Sequence, residues 1–315
     1  MSASPPDGHG RAQEVQAWRA RAERGSPALI RFMAWVSLRL GRGPARGLLH
    51  VIAAYFLATS GAARRASHRF LSHALGRPPS LAERYRHFLC FATTIHDRVF
   101  FVADRFDPFD IRVHGAELID ELPAQCGVFL MGSHLGSFEA IRACGRIRTR
   151  RPVVMAMVEE NARKLNAVLA AINPHALDGI VSLGRLESML KLREHLDHGA
   201  LVGVLADRTP GNERMLAVPF LGEAAPLPIG PMRMAAILRC PVYFMTGLYA
   251  GSNRYDIHFE RIADFSAVDA GDRGTRDRLV AEAVARYAGR LEHYARQSPF
   301  NWFNFYDFWS PPRAA

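Results

Sequence analysis

The sequence predicts an α/β fold: a mixed, largely parallel sheet flanked by helices, behind an N-terminal helical region. Three observations carry that expectation. Unbroken apolar runs such as Val128-Phe129-Leu130-Met131 and Val153-Val154-Met155-Ala156-Met157-Val158 have the pattern of strands buried on both faces. These runs alternate with helix-permissive stretches of roughly 10 to 14 residues, as parallel pairs require. Small residues then punctuate a strand end, as in Gly132-Ser133-His134-Leu135-Gly136-Ser137, before a helix restarts.

Composition sets the outer limits. A chain of 315 residues with 49% hydrophobic and 22% charged residues is folded and buries a substantial core, as one large domain or two. The formal net charge of +10, almost all from arginine, implies an anionic partner: nucleic acid, anionic lipid or an acidic carrier protein. No zinc-finger spacing, RNP-like motif or basic-aromatic repeat supports nucleic acid. Cys90, Cys126, Cys144 and Cys240 form no C-x-x-C pair and read as reduced cysteines of a cytoplasmic protein.

In chain order, residues 1–13 read as a disordered tail without the layout of a signal peptide. Residues 14–106 read as a helical region. An arginine-rich segment from Val15 to Leu40 and an apolar one from Ala45 to Ser60 flank the break Gly41-Arg42-Gly43-Pro44. Neither run reaches the roughly 20 apolar residues that span a bilayer, and Arg39, Arg42, Arg46 and His50 interrupt them. Aromatics edged by arginines fit helices lying in a membrane interface, and equally well two amphipathic helices packed on the domain. Ala62 to Gly76 adds Arg64, Arg65, His68 and Arg69, a basic face for solvent or for lipid headgroups. Pro78-Pro79-Ser80 stops that helix and caps the next, from Leu81 to about Ala103, in which His96-Asp97 reads as a packed histidine.

Residues 107–315 read as the α/β domain. Strands are expected at Ile111–Gly115, Val128–Met131, Pro152–Val158, Gly179–Leu183, Ala200–Ala206 and Arg239–Met245. An edge strand is expected at Tyr255–Phe259. Helices are expected at Ala116–Leu122, Ser137–Arg146, Asn161–Ile172, Leu186–His198, Met232–Leu238 and Thr275–Arg296. The last stretch, Ser298 to Trp309, is unusually aromatic and reads as core packing, an aromatic wall for an apolar chain, or an interfacial anchor.

The candidate site is the turn after the Val128 strand. Five residues on one helix leave two side chains about 140° apart, so His134 and Glu139 meet only if the histidine sits on the turn. Glu139 would then accept the ring N–H, fix the tautomer and leave the other nitrogen as a base. Gly132 and Gly136 permit a tight bend and close approach of a ligand. Asp207-Arg208 stands at the carboxyl end of another strand, where such sheets bind ligands, or forms a plain turn salt bridge.

The block G-S-H-x-G-x-x-E from Gly132 to Glu139 resembles the H-x-x-x-x-D/E motif of the lysophospholipid acyltransferase superfamily, and most closely the lipid A biosynthesis acyltransferases. Val218-Pro219-Phe220-Leu221-Gly222 resembles the V-P-F-F-G element of that branch. Asp207-Arg208 is similar to its aspartate followed by a polar or basic residue. Leu183-Gly184-Arg185 stands where a second, substrate-positioning block is kept. The C-terminus departs from the branch's P-E-Q-x-x-W pattern. The resemblance implies His134 as general base, Glu139 as the acid that orients it, and Gly136, Arg185, Asp207, Arg208 and Gly222 as substrate-binding.

The implied reaction moves a fatty acyl group from the thioester of an acyl carrier protein or coenzyme A to a hydroxyl or amine of a membrane lipid or lipid A-like acceptor. It asks for no cofactor and no metal. The acceptor itself attacks, and neither Ser133 nor Ser137 lies in a G-x-S-x-G elbow. Backbone amides near Gly136, with Arg208, would hold the oxyanion. The expected place is the cytoplasmic face of the bacterial inner membrane, on its anionic surface. Two other classes fit less of the sequence: a lipid-binding protein that has lost turnover, and a thioester hydrolase using the same dyad on water.

Overall fold

The computed structural model describes residues 35, 37–39, 41–158, 172–173, 179–208, 213–267 and 272–309. The expected tail, the segment from 15 to 34 and the helix expected over residues 161–171 lie outside the described residues.

Among the described residues, three helices with complete bounds precede the sheet: α1 (Arg42–Thr59), α2 (Gly61–Leu75) and α3 (Leu81–Val102). The stripe Ala45, Leu49, Ala53 and Leu57 on α1 repeats every four residues and is buried. The proline-serine stop before α3 is a capping box. Glu83 N–H donates to Ser80 Oγ at 3.2 Å, and Ser80 N–H donates to Glu83 Oε2 at 2.7 Å. His96 is buried, as the sequence indicates, with Nε2 3.0 Å from Ser37 Oγ. Its neighbour Asp97 binds the Arg42 guanidinium (Nε–Oδ1 2.6 Å) and accepts from Tyr255 Oη at 2.9 Å, which ties α1 and α3 to the sheet. No helix among the described residues is long and apolar enough to cross a membrane.

The α/β body runs β1 (Asp110–His114), α4 (Glu117–Asp120), β2 (Val128–Gly132), α5 (Phe138–Arg148), β3 (Val153–Val158), β4 (Ile180–Leu183), α6 (Leu186–Asp197) and β5 (Leu201–Leu205). It continues with β6 (Met215–Phe220), β7 (Glu223–Pro228), α7 (Gly230–Ile237), β8 (Pro241–Gly251), β9 (Arg254–Asp264) and α8 (Arg273–Gln297). Seven strands make one sheet in the order β1-β9-β8-β2-β5-β3-β4. Every pair is parallel except β8–β9, so the sheet is mixed and largely parallel, as predicted.

The expected edge strand is corrected. β9 lies between β1 and β8, and β1 is the edge. Its alternation arises because one side meets a polar partner in place of solvent: Glu260 accepts from Tyr294 Oη at 2.5 Å and from Arg290 on α8.

β2 sits at the centre with all five residues buried. Phe129 and Met131 face the larger core with Leu192, Val284 and Leu291, while Val128 and Leu130 face Ile141 and Cys144 on the other side. Each fully buried side chain of this size contributes about 1.5–3 kcal/mol. The strand whose end carries the histidine is therefore anchored from both faces.

Candidate active site

β2 and β5 are parallel neighbours with Gly132 opposite Leu205. Two residues beyond that pair, on adjoining strand ends, stand His134 and Asp207. His134 Nδ1–H donates to Asp207 Oδ1 at 2.8 Å, and the His134 backbone N–H donates to Oδ2 at 3.1 Å. Trp302 Nε1–H donates to the same Oδ2 at 3.3 Å. Asp207 is buried. Burial alone would raise its pKa, but the His134 ring, the hydrogen bonds and the Arg208 charge hold it well below the usual carboxylate range.

The pair fixes the histidine tautomer. With Nδ1–H bound to the carboxylate, Nε2 presents its lone pair outward, and Arg208 Nε–H donates to it at 3.2 Å. Burial lowers the His134 pKa below 6.5, helped by Arg208 and opposed by Asp207, so the ring is neutral at pH 7. The His134 side chain keeps 29% of its surface accessible. The Arg208 guanidinium lies 5.5 Å from the centre of the Tyr306 ring.

The acid at the ring corrects one expectation. The Glu139 carboxylate is held elsewhere: Arg98 Nη2 on α3 donates to its Oε1 at 2.8 Å, and Arg142, one turn further along α5, stands 3.9 Å from Oε2. The cause is the turn. Gly136 has φ 79°, and a Cβ there would collide with the Gly247 carbonyl of β8, so the chain enters α5 pressed against β8. The first turn of α5 then points its carboxylate at α3.

A second expectation is corrected by the same turn. Gly136 N–H donates to Asn301 O at 2.8 Å and Ser137 N–H to Gly247 O at 2.7 Å, so neither amide is open to an oxyanion. Ser137 Oγ accepts from Ala140 N–H at 3.1 Å as the helix cap.

Arg185 and Gly222 are not brought to the histidine. Arg185 precedes α6 after β4, three strands from β2 or about 14 Å across the sheet. Gly222, with φ 86°, and Leu221, with φ 54°, form the two-residue turn between β6 and β7. The element reaches the site through Phe220, whose ring meets Trp302 at 5.2 Å between centroids.

Asn301, Trp302 and Tyr306 belong to the site although the sequence assigned them no role there. The segment from Pro299 to Trp309 straps the turn: besides the Asn301 and Trp302 bonds, Phe303 N–H donates to His134 O at 2.8 Å. Trp302, Phe308 and Trp309 also join the main core, in keeping with the packing reading of this stretch.

His87 on α3 holds the strap. Its Nε2–H donates to Trp302 O at 2.9 Å, so its Nδ1 accepts from Ser67 Oγ at 2.8 Å. Burial lowers its pKa to about 4, against the opposing pull of the Trp302 carbonyl. An unfolded histidine titrates near 6.5, so the unfolded chain holds more protons between pH 6.5 and 4. Stability present above pH 6.5 is therefore lost as pH falls, by about 3 kcal/mol from this residue. Thermal melts across that window should show the loss in the native chain and a weaker one in His87→Gln.

Three of the four thiols are buried away from any nucleophilic role. Burial pushes Cys90 up to about 12, Cys144 to about 11 and Cys240 to about 12, so these groups stay protonated. The site thus offers an oriented base beside a cation, a pair suited to activating an incoming hydroxyl or amine.

No curated protein matches the chain. Its residues 29–310 match the family model described as bacterial lipid A biosynthesis acyltransferase. With nearly the whole chain covered and an oriented histidine at the centre of the sheet, the protein belongs to the bacterial lipid A biosynthesis acyltransferase family and is an acyltransferase.

Proposed function

We propose that the protein transfers a fatty acyl group from the thioester of an acyl carrier protein or coenzyme A to a hydroxyl or amine of a membrane lipid or lipid A-like acceptor, with His134 as base and Asp207 as the residue that orients it. The observation that carries this reading is the 2.8 Å bond from His134 Nδ1–H to a buried, ionised Asp207. His134 Nε2 takes the acceptor's proton as its oxygen or nitrogen attacks the thioester carbonyl carbon. The tetrahedral intermediate collapses, the C–S bond breaks, and the leaving thiolate takes the proton back from Nε2. Asp207 stabilises the imidazolium in between, as the carboxylate of a serine-protease triad does. Arg208 leaves Nε2 as the acceptor arrives and puts its charge beside the developing oxyanion. Residues 14–106 are the proposed membrane-facing region and 107–315 the acyltransferase domain, and the protein works peripherally on the anionic cytoplasmic face of the inner membrane.

The test incubates purified protein with acyl-acyl carrier protein or acyl-coenzyme A, with and without lipid extract. Acylated lipid formed only when extract is present supports transfer. Release of free fatty acid at the same rate without extract replaces transfer by hydrolysis.

The electrostatics give a pH signature. The base works only when neutral, so kcat/KM should fall on the acid side with a midpoint below 6.5, because burial and Arg208 lower the His134 pKa. Arg208→Gln removes a lowering charge and should move that midpoint upward. A midpoint that moves down or stays fixed would separate Arg208 from the base.

A further inference from the structure

The first three helices carry a surface that the transfer chemistry does not use. From Gly25 to Ala82 the sequence contains eight arginines and no aspartate or glutamate. On α1, the face opposite the buried stripe exposes Leu48, Val51 and Tyr55, at 44%, 64% and 54% of their surface. Leu81, at the start of α3, is 63% exposed. Apolar side chains on one helix face, in a region without acids, form a patch that water does not favour.

Next to that patch a groove of about 860 Å³ runs between the ends of the three helices. Ala54, Leu57, Leu81 and Tyr85 supply apolar walls, and Arg64 and Arg84 stand at its side. A second hollow of about 370 Å³ is lined by Arg64, Arg65, His68 and Arg84 alone. Other arginines of this region are engaged elsewhere: Arg42 pairs with Asp97, Arg69 with Glu223 and Asp307, and Arg77 with Glu83, while Arg46 bonds Tyr249 and Arg86 lies over the Phe300 ring. Among the described residues no carboxylate pairs with the four that line the hollow. Arg64 reaches only the Leu57 and Ala58 carbonyls, at 3.3 Å each, and the Arg84 Nε is shielded without a partner. Cations gathered around an open hollow beside an apolar groove are complementary to an anionic group joined to an alkyl chain.

The groove also points at the strap. Leu57 and Tyr85 pack with Phe88 and Phe305, whose rings lie 4.9 Å apart. Phe305 stands next to Tyr306, the ring beneath Arg208. The groove wall therefore packs against the strap itself, through Phe305.

We propose that this face is a phospholipid-binding surface. The hollow of Arg64, Arg65, His68 and Arg84 holds the phosphate of an anionic bilayer lipid, the groove admits one of its acyl chains, and Val51, Tyr55 and Leu81 enter the interface. The proposal rests on the reading of a peripheral membrane enzyme and names the surface that makes the contact.

The test is sedimentation of the full chain with vesicles of phosphatidylcholine alone or with a third of phosphatidylglycerol. Each basic residue near an anionic bilayer is worth roughly fivefold in partition. Arg64→Gln with Arg65→Gln should therefore lower binding to the anionic vesicles by roughly tenfold or more. Val51→Asp with Tyr55→Asp should abolish it. High salt should weaken the native protein, and phosphatidylcholine vesicles should bind it poorly. Both double variants should keep the native melting temperature and, with detergent-dispersed lipid extract as acceptor, consume a short-chain, water-soluble acyl-coenzyme A within about twofold of the native rate. His134→Ala should bind vesicles as the native chain does, which separates failure of this surface from failure of the catalytic reading. Native-like vesicle binding by both double variants overturns the proposal. A lowered melting temperature for Val51→Asp with Tyr55→Asp also overturns it, because the face would then be covered by the chain's own residues.

Discussion

Replacing His134 by alanine is expected to lower acyl transfer by about 10³- to 10⁴-fold, the contribution of a positioned base. The loss should fall on kcat, because the ring sits at the strand end and its removal leaves the walls of the site standing. The fold should survive: the side chain is partly exposed, and the turn is held by backbone bonds from Gly136 to Asn301, Ser137 to Gly247 and Phe303 to His134. Thioester consumption by the purified variant, with a melt to confirm folding, checks this. Retention of more than a few per cent of native turnover would remove His134 from the mechanism.

The second large effect separates two carboxylates. Asp207→Asn should cost about 10³- to 10⁴-fold in kcat, since an amide in that place can donate to Nδ1 and favour the wrong tautomer. Glu139→Gln should act on stability. Glu139 is buried and accepts from Arg98 at 2.8 Å, so its neutralisation removes a part-buried charge pair at a cost of about 3 kcal/mol. Per folded molecule, Glu139→Gln should retain far more activity than Asp207→Asn. Turnover normalised to the folded fraction decides it. The reverse order would return the orienting role to Glu139.

What was legible in the sequence follows from physics that acts locally. β2 could be read because a strand buried on both faces must be apolar throughout, and Val128 to Met131 are. Ser80 could be read as a cap because a helix stop and its N-cap lie within a few residues of one another. His134 could be placed on a turn after β2 because small residues, Gly132, Ser133 and Gly136, punctuate the strand end. Its partner could not, because β3 and β4 intervene in the chain between β2 and β5. Only the register that sets Gly132 beside Leu205 shows that Asp207 falls opposite His134. Likewise, the alternation of β9 was read as solvent exposure because a polar partner on α8 is invisible from one strand. Phe300 to Trp309 were legible as an aromatic stretch, while the indole bond from Trp302 to Asp207 depends on a contact 95 residues away.

The strap has a consequence for biosynthesis. On the ribosome, the sheet strands, His134 and Asp207 all emerge before Asn301, Trp302 and Phe303. Until those residues dock, Asp207 lacks its indole donor, the Gly136 N–H lacks its acceptor at Asn301 O, and the His134 carbonyl lacks its donor at Phe303 N–H. The edge strand β1 also waits, because its partner β9 begins at Arg254. A nascent chain therefore carries both halves of the pair without the closure that aligns them. The alignment of the pair is complete only once the strap has docked.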